Sequence, residues 1–340
     1  MWIYFPKILR ILNITSESLC FCWSEKKYWD CCMKSVHEPR LSKEELESMN
    51  PKNYNWVLPP SYFEKVMFKL SHKCLVCENK AIKSHSISSN RIKKTFKSDF
   101  VSTVLQDKYQ RFVLKKVSIN DVSAFPIRCN FHDHEIFKEI DSNINLNNEH
   151  HLNLLAYRAL GREFRLQSDR TKILYSFIYQ FFATHLKDLL CEYYKRTSET
   201  YEMMKYVEYW IKNTNRRWLK HKIFKIWKIE PIFLSSSISA YRYKDWMKIQ
   251  EICMLNLITI DDEWYFIISY KEYNKDSEDL CKRINKAYKS WNIIPFLNDF
   301  IWKNCHNIIC NENRAWEIIQ TPEDWLLYEN WAHDYIRIIQ

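Results

Sequence analysis

The chain has 340 residues, with 51 Lys and Arg against 41 Asp and Glu, for a formal net charge of +10. That length allows two or three domains with real cores, and 46% hydrophobic with 16% aromatic content excludes a disordered chain. The positive balance favours an acidic partner, of which nucleic acid is the commonest. No stretch reaches the roughly 18 uncharged apolar residues of a membrane span. The apolar start, MWIYFPKILRIL, is broken by Pro6, Lys7 and Arg10 and lacks a small-residue cleavage site, so no signal peptide is expected. The chain is read as cytoplasmic.

Residues 1–35 hold the first cysteine cluster, CFCWSEKKYWDCC, with Cys20, Cys22, Cys31 and Cys32. Thiolates paired as C-x-C and C-C can close around one zinc ion. A disulfide set is the rival reading; a reducing compartment and the strain of bridging neighbours argue for the metal. The segment resembles the SEC-C motif, a small zinc knuckle carried by many unrelated bacterial proteins. All four ligands match, as do Ser24, Lys26, Lys27 and Tyr28, whereas Trp23 and Glu25 stand where the family has glycines. The resemblance implies a docking module for a protein or ribosomal partner.

Residues 36–60 are polar, carry Pro39, Pro51, Pro59 and Pro60, and read as a linker with a short helical pattern at LSKEELESM. Residues 61–149 hold the second cluster. Cys74-x-x-Cys77 is followed by His85, and a later pair, Cys129-x-x-His132, leads directly into Asp133 and His134. Two short pairs of soft ligands suit a tetrahedral zinc site. Between them FVSTVL and RFVLKKVSI alternate apolar and polar residues, which predicts a β-hairpin over 99–120. A knuckle, a hairpin and a second ligand pair opening a helix describe a treble clef. KAIKSHSIS with INDVSAFPIRCNFHDHEIF resembles bacterial HNH-like zinc proteins, which often carry an SEC-C motif. The resemblance implies that Cys74, Cys77, Cys129 and His132 hold structural zinc, that His85 is the general base and that Asn120 is the middle Asn. It also places Asp133, with His134 beside it, at a catalytic Mg²⁺ or Mn²⁺. Ser84 stands where the family has Asp. Lys80, Lys83, Arg91, Lys93 and Lys94 are expected to grip a phosphate backbone.

Residues 150–230 turn helical, with Leu152, Leu155, Ala156, Ala159 and Leu160 on one face, then Leu174, Phe177, Ile178, Phe181 and Phe182 on another. The stretch KNTNRRWLKHKIFKIWK, 212–228, has no acidic residue and reads as a basic amphipathic helix. Arg216, Arg217, Lys220 and Lys222 there are candidate phosphate contacts, a solvated basic face being the plainer reading. Residues 231–340 form an α+β region: strands at FLSSSISAYRY and at the hairpin CMLNLITI-DDE-WYFIISYKEY, then helices over 277–291 and 295–308 and another from Thr321. Cys191, Cys253, Cys281, Cys305 and Cys310 are scattered among apolar residues and read as buried thiols.

The chain contains a single glycine, Gly161, and 14 tryptophans; ordinary usage of about 7% would give roughly 24 glycines. Either Asn, Asp and Ser serve the turns that need positive φ, or some Trp positions are glycine codons read as Trp, as a reassigned stop codon would produce. The fold expected is α+β: a zinc knuckle, an HNH-like treble-clef ββα-metal domain, a helical middle and a C-terminal α+β region. The function expected is a zinc-stabilised nucleic-acid-binding protein with two structural Zn²⁺ sites, the HNH resemblance implying metal-dependent phosphodiester hydrolysis. The alternative is a non-catalytic zinc adaptor docking its partner through the SEC-C knuckle.

Overall fold

The computed structural model describes residues 20, 26–27, 72–77, 79–106, 112–181, 187–213, 219–227, 231–244, 247–290, 292–305 and 307–310. The linker, the predicted LSKEELESM helix and the predicted helix from Thr321 lie outside them. The organising element is an antiparallel sheet of seven strands in the order β3-β2-β9-β6-β7-β8-β5. Its strands are β2 (Phe100–Gln106), β3 (Phe112–Ser118), β5 (Leu219–Ile226), β6 (Ile232–Lys244), β7 (Met247–Ile260), β8 (Glu263–Lys271) and β9 (Ile308–Cys310). A separate two-stranded pair joins β1 (Lys83–His85) to β4 (Ala124–Pro126).

The predicted hairpins are present. β2 pairs with β3 from Phe100↔Ser118 to Gln106↔Phe112, and β7 turns into β8 through Asp261 and Asp262. Residues 252–260 of β7 are buried without a break, so neither face of this central strand is left to water. Two long helices, α3 (Glu149–Phe181) and α4 (Lys187–Lys212), follow the shorter α1 (Ser89–Phe96) and α2 (Asn130–Ser142). α3 packs on β6, β7 and β8, and α5 (Lys275–Lys289) packs on β6 and β7. α5 buries Ser277, Leu280, Cys281, Ile284 and Ala287, a helical stripe, and Asn274 caps it by accepting from the Ser277 N–H at 2.7 Å. α6 (Ile293–Asn304) then leads into β9.

One expectation is corrected. Within the basic stretch 212–228, Leu219–Ile226 forms strand β5 rather than an amphipathic helix and pairs residue by residue with β8, from Leu219↔Lys271 to Ile226↔Trp264. Buried Leu219, Phe224 and Ile226 beside exposed Lys222 and Ile223 fit a sheet edge, and lysines there block edge-to-edge pairing. The hairpin predicted inside 61–149 also joins the C-terminal strands in one sheet, because β9 pairs with β2 on one side and β6 on the other. Thr103 reinforces that seam by donating to the Ile308 carbonyl at 2.7 Å.

The glycine question has a local answer. Positive φ occurs at Lys97 (48°), Ser123 (59°), Asp261 (50°), Asp262 (62°) and Tyr273 (69°), and at no described Trp or Gly. The Asp261-Asp262 turn therefore does the work usually given to Asn-Gly. Gly161 lies within helix α3, where an added Cβ would meet Ile127 at an ordinary 3.4 Å. Trp264, in turn, is used as a ring, buried with its centroid 5.2 Å from Phe233.

Two tests follow from this framework. Lys97 closes α1 in the left-handed conformation, its N–H donating to the Lys93 carbonyl. Because that conformation costs an L residue about 1 kcal/mol or more, Lys97→Gly is expected to raise the urea midpoint at unchanged slope. His221 on β5 bonds Ser269 at 2.8 Å and Asn153 of α3 at 3.1 Å, and burial pushes its pKa from 6.5 down to about 4. The fold holds this ring neutral while the unfolded chain takes up a proton. The linked stability is thus present above pH 6.5 and lost as pH falls towards 4. His221→Gln should flatten that acid limb in urea titrations run across the same window.

Candidate metal centre and the histidine beside it

The metal cluster is assembled from two chain segments by backbone contacts. In the first, Lys73 bridges Lys80 and the Cys74 N–H donates to the Asn79 carbonyl at 2.8 Å, which folds 73–80 into a tight knuckle. The Val76 N–H points back at Cys74 Sγ at 3.4 Å. In the second, Cys129 is the N-cap residue of α2, and its carbonyl accepts from the Asp133 N–H. Cys129 and His132, three residues apart at the helix start, share one face. The segments are joined where Leu75 donates to the Ile127 carbonyl and Ile82 to the Arg128 carbonyl.

Cys74, Cys77, Cys129 and His132 converge so that one ligand atom from each lies within 4.8 Å of all the others. Cys77 Sγ and Cys129 Sγ are 3.8 Å apart; His132 Nδ1 is 3.5 Å from Cys74 Sγ and 3.3 Å from Cys129 Sγ. Metal–sulfur bonds of about 2.3 Å and metal–nitrogen bonds of about 2.0 Å at the tetrahedral angle give edges of about 3.8 Å and 3.5 Å. The sulfur spacing is far beyond the ~2.05 Å of a disulfide. The cluster therefore fits a four-coordinate ion with every position filled by protein, the pattern of a structural site.

Charge is arranged to suit it. Burial raises the Cys74 thiol, but the N–H groups of Cys129, Val76 and Cys77 and the Cys77 thiol outweigh it and bring the pKa from 9.0 to about 6. The Cys77 thiol moves the other way: the Asn79 N–H draws it down, but burial and the neighbouring Cys74 and Cys129 sulfurs carry it up. Mutual repulsion among thiolates is what a bound cation relieves. Of the first cluster, only Cys20 is described; it is buried and its N–H donates to the Lys26 carbonyl at 2.7 Å. Cys22, Cys31 and Cys32 lie outside the described residues.

His85 ends strand β1, opposite Ala124 of β4, and is half-buried rather than sealed in the core. Its Nδ1 lies 3.1 Å from the Val122 carbonyl. A carbonyl only accepts, so Nδ1 carries the proton and Nε2 keeps its lone pair. Burial lowers the His85 pKa from 6.5, opposed by the Val122 carbonyl; Arg158 lowers it further, while Asp133 and Asp141 raise it. Asp133 follows His132 of the cluster, and its Oδ1 is buried with no hydrogen-bond partner among the described residues. Asp133, Phe137 and Asp141 recur every fourth residue along one face of α2. Arg158 of α3 holds Asp141 with two bonds of 2.7 and 2.8 Å and lies 4.1 Å over the Phe137 ring. Sequence reasoning missed the Asp141–Arg158 pair, whose partners are 17 residues apart and sit in no motif.

The other expected site residues are more dispersed. Asn120 is exposed in the turn before β4, and His134 is exposed on α2. Lys80, Lys94 and Lys222 are exposed; Lys83 pairs with Asp121, Lys93 with Asp99, and Lys220 with Glu278. Arg91 is turned inward and donates to the Thr259 carbonyl on β7, which ties α1 to the sheet. Arg216 and Arg217 lie outside the described residues. Cys253, Cys281, Cys305 and Cys310 are buried, as read from the sequence, whereas Cys191 on α4 is only half-buried.

Comparison with family models, with curated proteins and with solved structures finds no match for this chain.

A structural ion carries folding free energy, since the unfolded chain holds no preformed site. Cys129→Ser should lower the metal stoichiometry measured by native mass spectrometry by one ion per chain and destabilise the fold. Cys253→Ser, at a buried thiol outside the cluster, should leave the stoichiometry unchanged. Equal metal content in wild type and Cys129→Ser would remove Cys129 from the ligand set.

Proposed function

We propose that the protein is a zinc-stabilised, metal-dependent nuclease of the HNH type that hydrolyses phosphodiester bonds. One observation carries the reading: the His85–Val122 contact leaves His85 Nε2 as a free acceptor on a half-buried ring, as a general base requires. The order of parts supports it. A zinc knuckle, a β1–β4 pair ending in His85 and a helix opening with Cys129 and His132 follow one another as the HNH resemblance implies. Zinc is the ion that three thiolates and one imidazole in a tetrahedron suit best.

In this reading His85 Nε2 removes a proton from water as the oxygen attacks phosphorus, and the bond from phosphorus to the leaving sugar oxygen breaks. The depressed His85 pKa keeps the ring in the unprotonated form the step needs near neutral pH. Asp133, whose buried oxygen lacks a partner, would hold a Mg²⁺-class ion. That ion supplies charge stabilisation to the phosphate oxygens when bound. Exposed Lys80 and Lys94 add long-range attraction for the polyanion.

His85→Ala should abolish magnesium- or manganese-dependent strand cleavage while thermal stability and zinc content stay near wild type. Removing a general base lowers the rate typically about 10²- to 10⁴-fold. Asp133→Asn should also reduce cleavage, and added metal should restore part of it. Wild-type protein that cleaves neither DNA nor RNA under these conditions, or cleavage that survives in His85→Ala, overturns the reading.

A further inference from the structure

Asn307 belongs to no motif in the sequence. It sits immediately before β9, only 3% exposed, and its side-chain nitrogen is shared among three oxygens. It donates to Ser86 Oγ at 2.7 Å, to Ser123 Oγ at 3.1 Å and to the Ser235 carbonyl of β6 at 2.8 Å. Ser86 directly follows His85, and Ser123 directly follows Val122, whose carbonyl receives the His85 proton. The two hydroxyls bond each other, and the Ser86 N–H donates to the Ser123 carbonyl at 3.0 Å. One amide from the C-terminal strand thus grips both sides of the His85–Val122 contact and anchors them to the buried sheet.

We propose that Asn307 is a positioning residue for His85, fixing the distance from β1 to the Val122 carbonyl and with it the tautomer and direction of the imidazole. The consequence for cleavage rests on the nuclease reading; the consequence for the imidazole does not. β1 and β4 are three residues each, too short to set their own spacing firmly. Ser123 has a φ of 59°, a conformation that an L residue keeps only when its surroundings hold it. Asn307 supplies that hold from a strand 184 residues away in sequence. Without it, Ser86 and Ser123 keep each other but lose the sheet, and the turn carrying Val122 is released to relax. A purely structural Asn307 would lower stability and leave the imidazole of the folded protein as it was.

The test uses the full chain loaded with zinc. Nitrogen-15 NMR of the imidazoles, with His85→Gln assigning the His85 signals, should show the Nδ1–H tautomer in wild type. In Asn307→Ala the His85 signals should move to a mixture of tautomers while zinc content is retained. Ser123→Ala, which removes the hydroxyl but keeps a Cβ at positive φ, should produce the same change, and the double variant no more than either. If wild type cleaves, both variants should lose roughly 10- to 100-fold in kcat with KM unchanged, as expected for a misplaced base. Should Asn307→Ala fail to fold, Ser123→Ala alone decides. An unchanged Nδ1–H signal in a folded variant overturns the proposal. Absence of cleavage in wild type overturns only the nuclease reading, because the tautomer measurement stands without it.

Discussion

The convergence of three sulfurs and one nitrogen is the constraint on which this end of the molecule depends. Its ligands come from segments 52 residues apart, measured from Cys77 to Cys129. Closing that loop costs chain entropy that the short β1–β4 pair cannot recover by itself. A bound multivalent ion would recover it by tying the 73–80 knuckle to the first turn of α2. Once Cys129 and His132 are fixed, the rotation of α2 about its axis is fixed too. Asp133, Phe137 and Asp141 then have no choice of direction. Such an ion would act on the neighbouring histidine through helix geometry, with no contact to His85 needed.

Further along the same face of α2 the protein makes an unusual core from cations and rings. Arg128 is fully buried, and its guanidinium nitrogens find no hydrogen-bond partner among the described residues. It lies instead 4.8 Å from the Phe137 ring centroid and 4.5 Å from that of Tyr157. Arg158 covers Phe137 as well, but it is neutralised by Asp141. Stacking on π faces offsets part of the desolvation of a buried cation, more so when water is excluded. Two arginines stacked on one phenylalanine lock α2 against α3, and α3 is in turn packed on the central sheet. The segment carrying the Cys/His cluster is thereby continuous with the large core rather than a bead on a linker.

How legible this was in the sequence depended on the range of the interaction. The ligand pairs could be read because each lies within four residues, and the hairpins because alternation and turn residues are local signals. The buried thiols at Cys253 and Cys281 were legible from their apolar neighbours. The basic stretch around Lys220 was misread because its lysines suit a helix face as well as an edge strand. Only the partner strand, with Ile267 opposite Ile223 and Phe266 opposite Phe224, decides between them. The union of the β2–β3 hairpin with the C-terminal strands hangs on the three-residue strand β9, too short to stand out in any periodicity. Asn307 gave no signal at all, since the oxygens it serves are brought to it by tertiary structure alone.

The scarcity of glycine bears directly on the histidine. A carbonyl can be aimed at the ring from Val122 because the next residue, Ser123, turns the chain through positive φ. Most proteins would place glycine at such a position, and the turn would then hold its shape without help from a side chain. Serine pays a steric cost there, yet it brings a hydroxyl that glycine lacks, and that hydroxyl is what Ser86 and Asn307 bind. The same substitution that strains the backbone thus creates the handle by which the sheet holds it. At Asp261 and Asp262 the strain is carried by full pairing of β7 with β8 on either side of the turn. In a chain this poor in glycine, positive φ is kept where neighbouring structure over-determines the turn, and the turn beside His85 is the one whose side-chain contacts reach furthest.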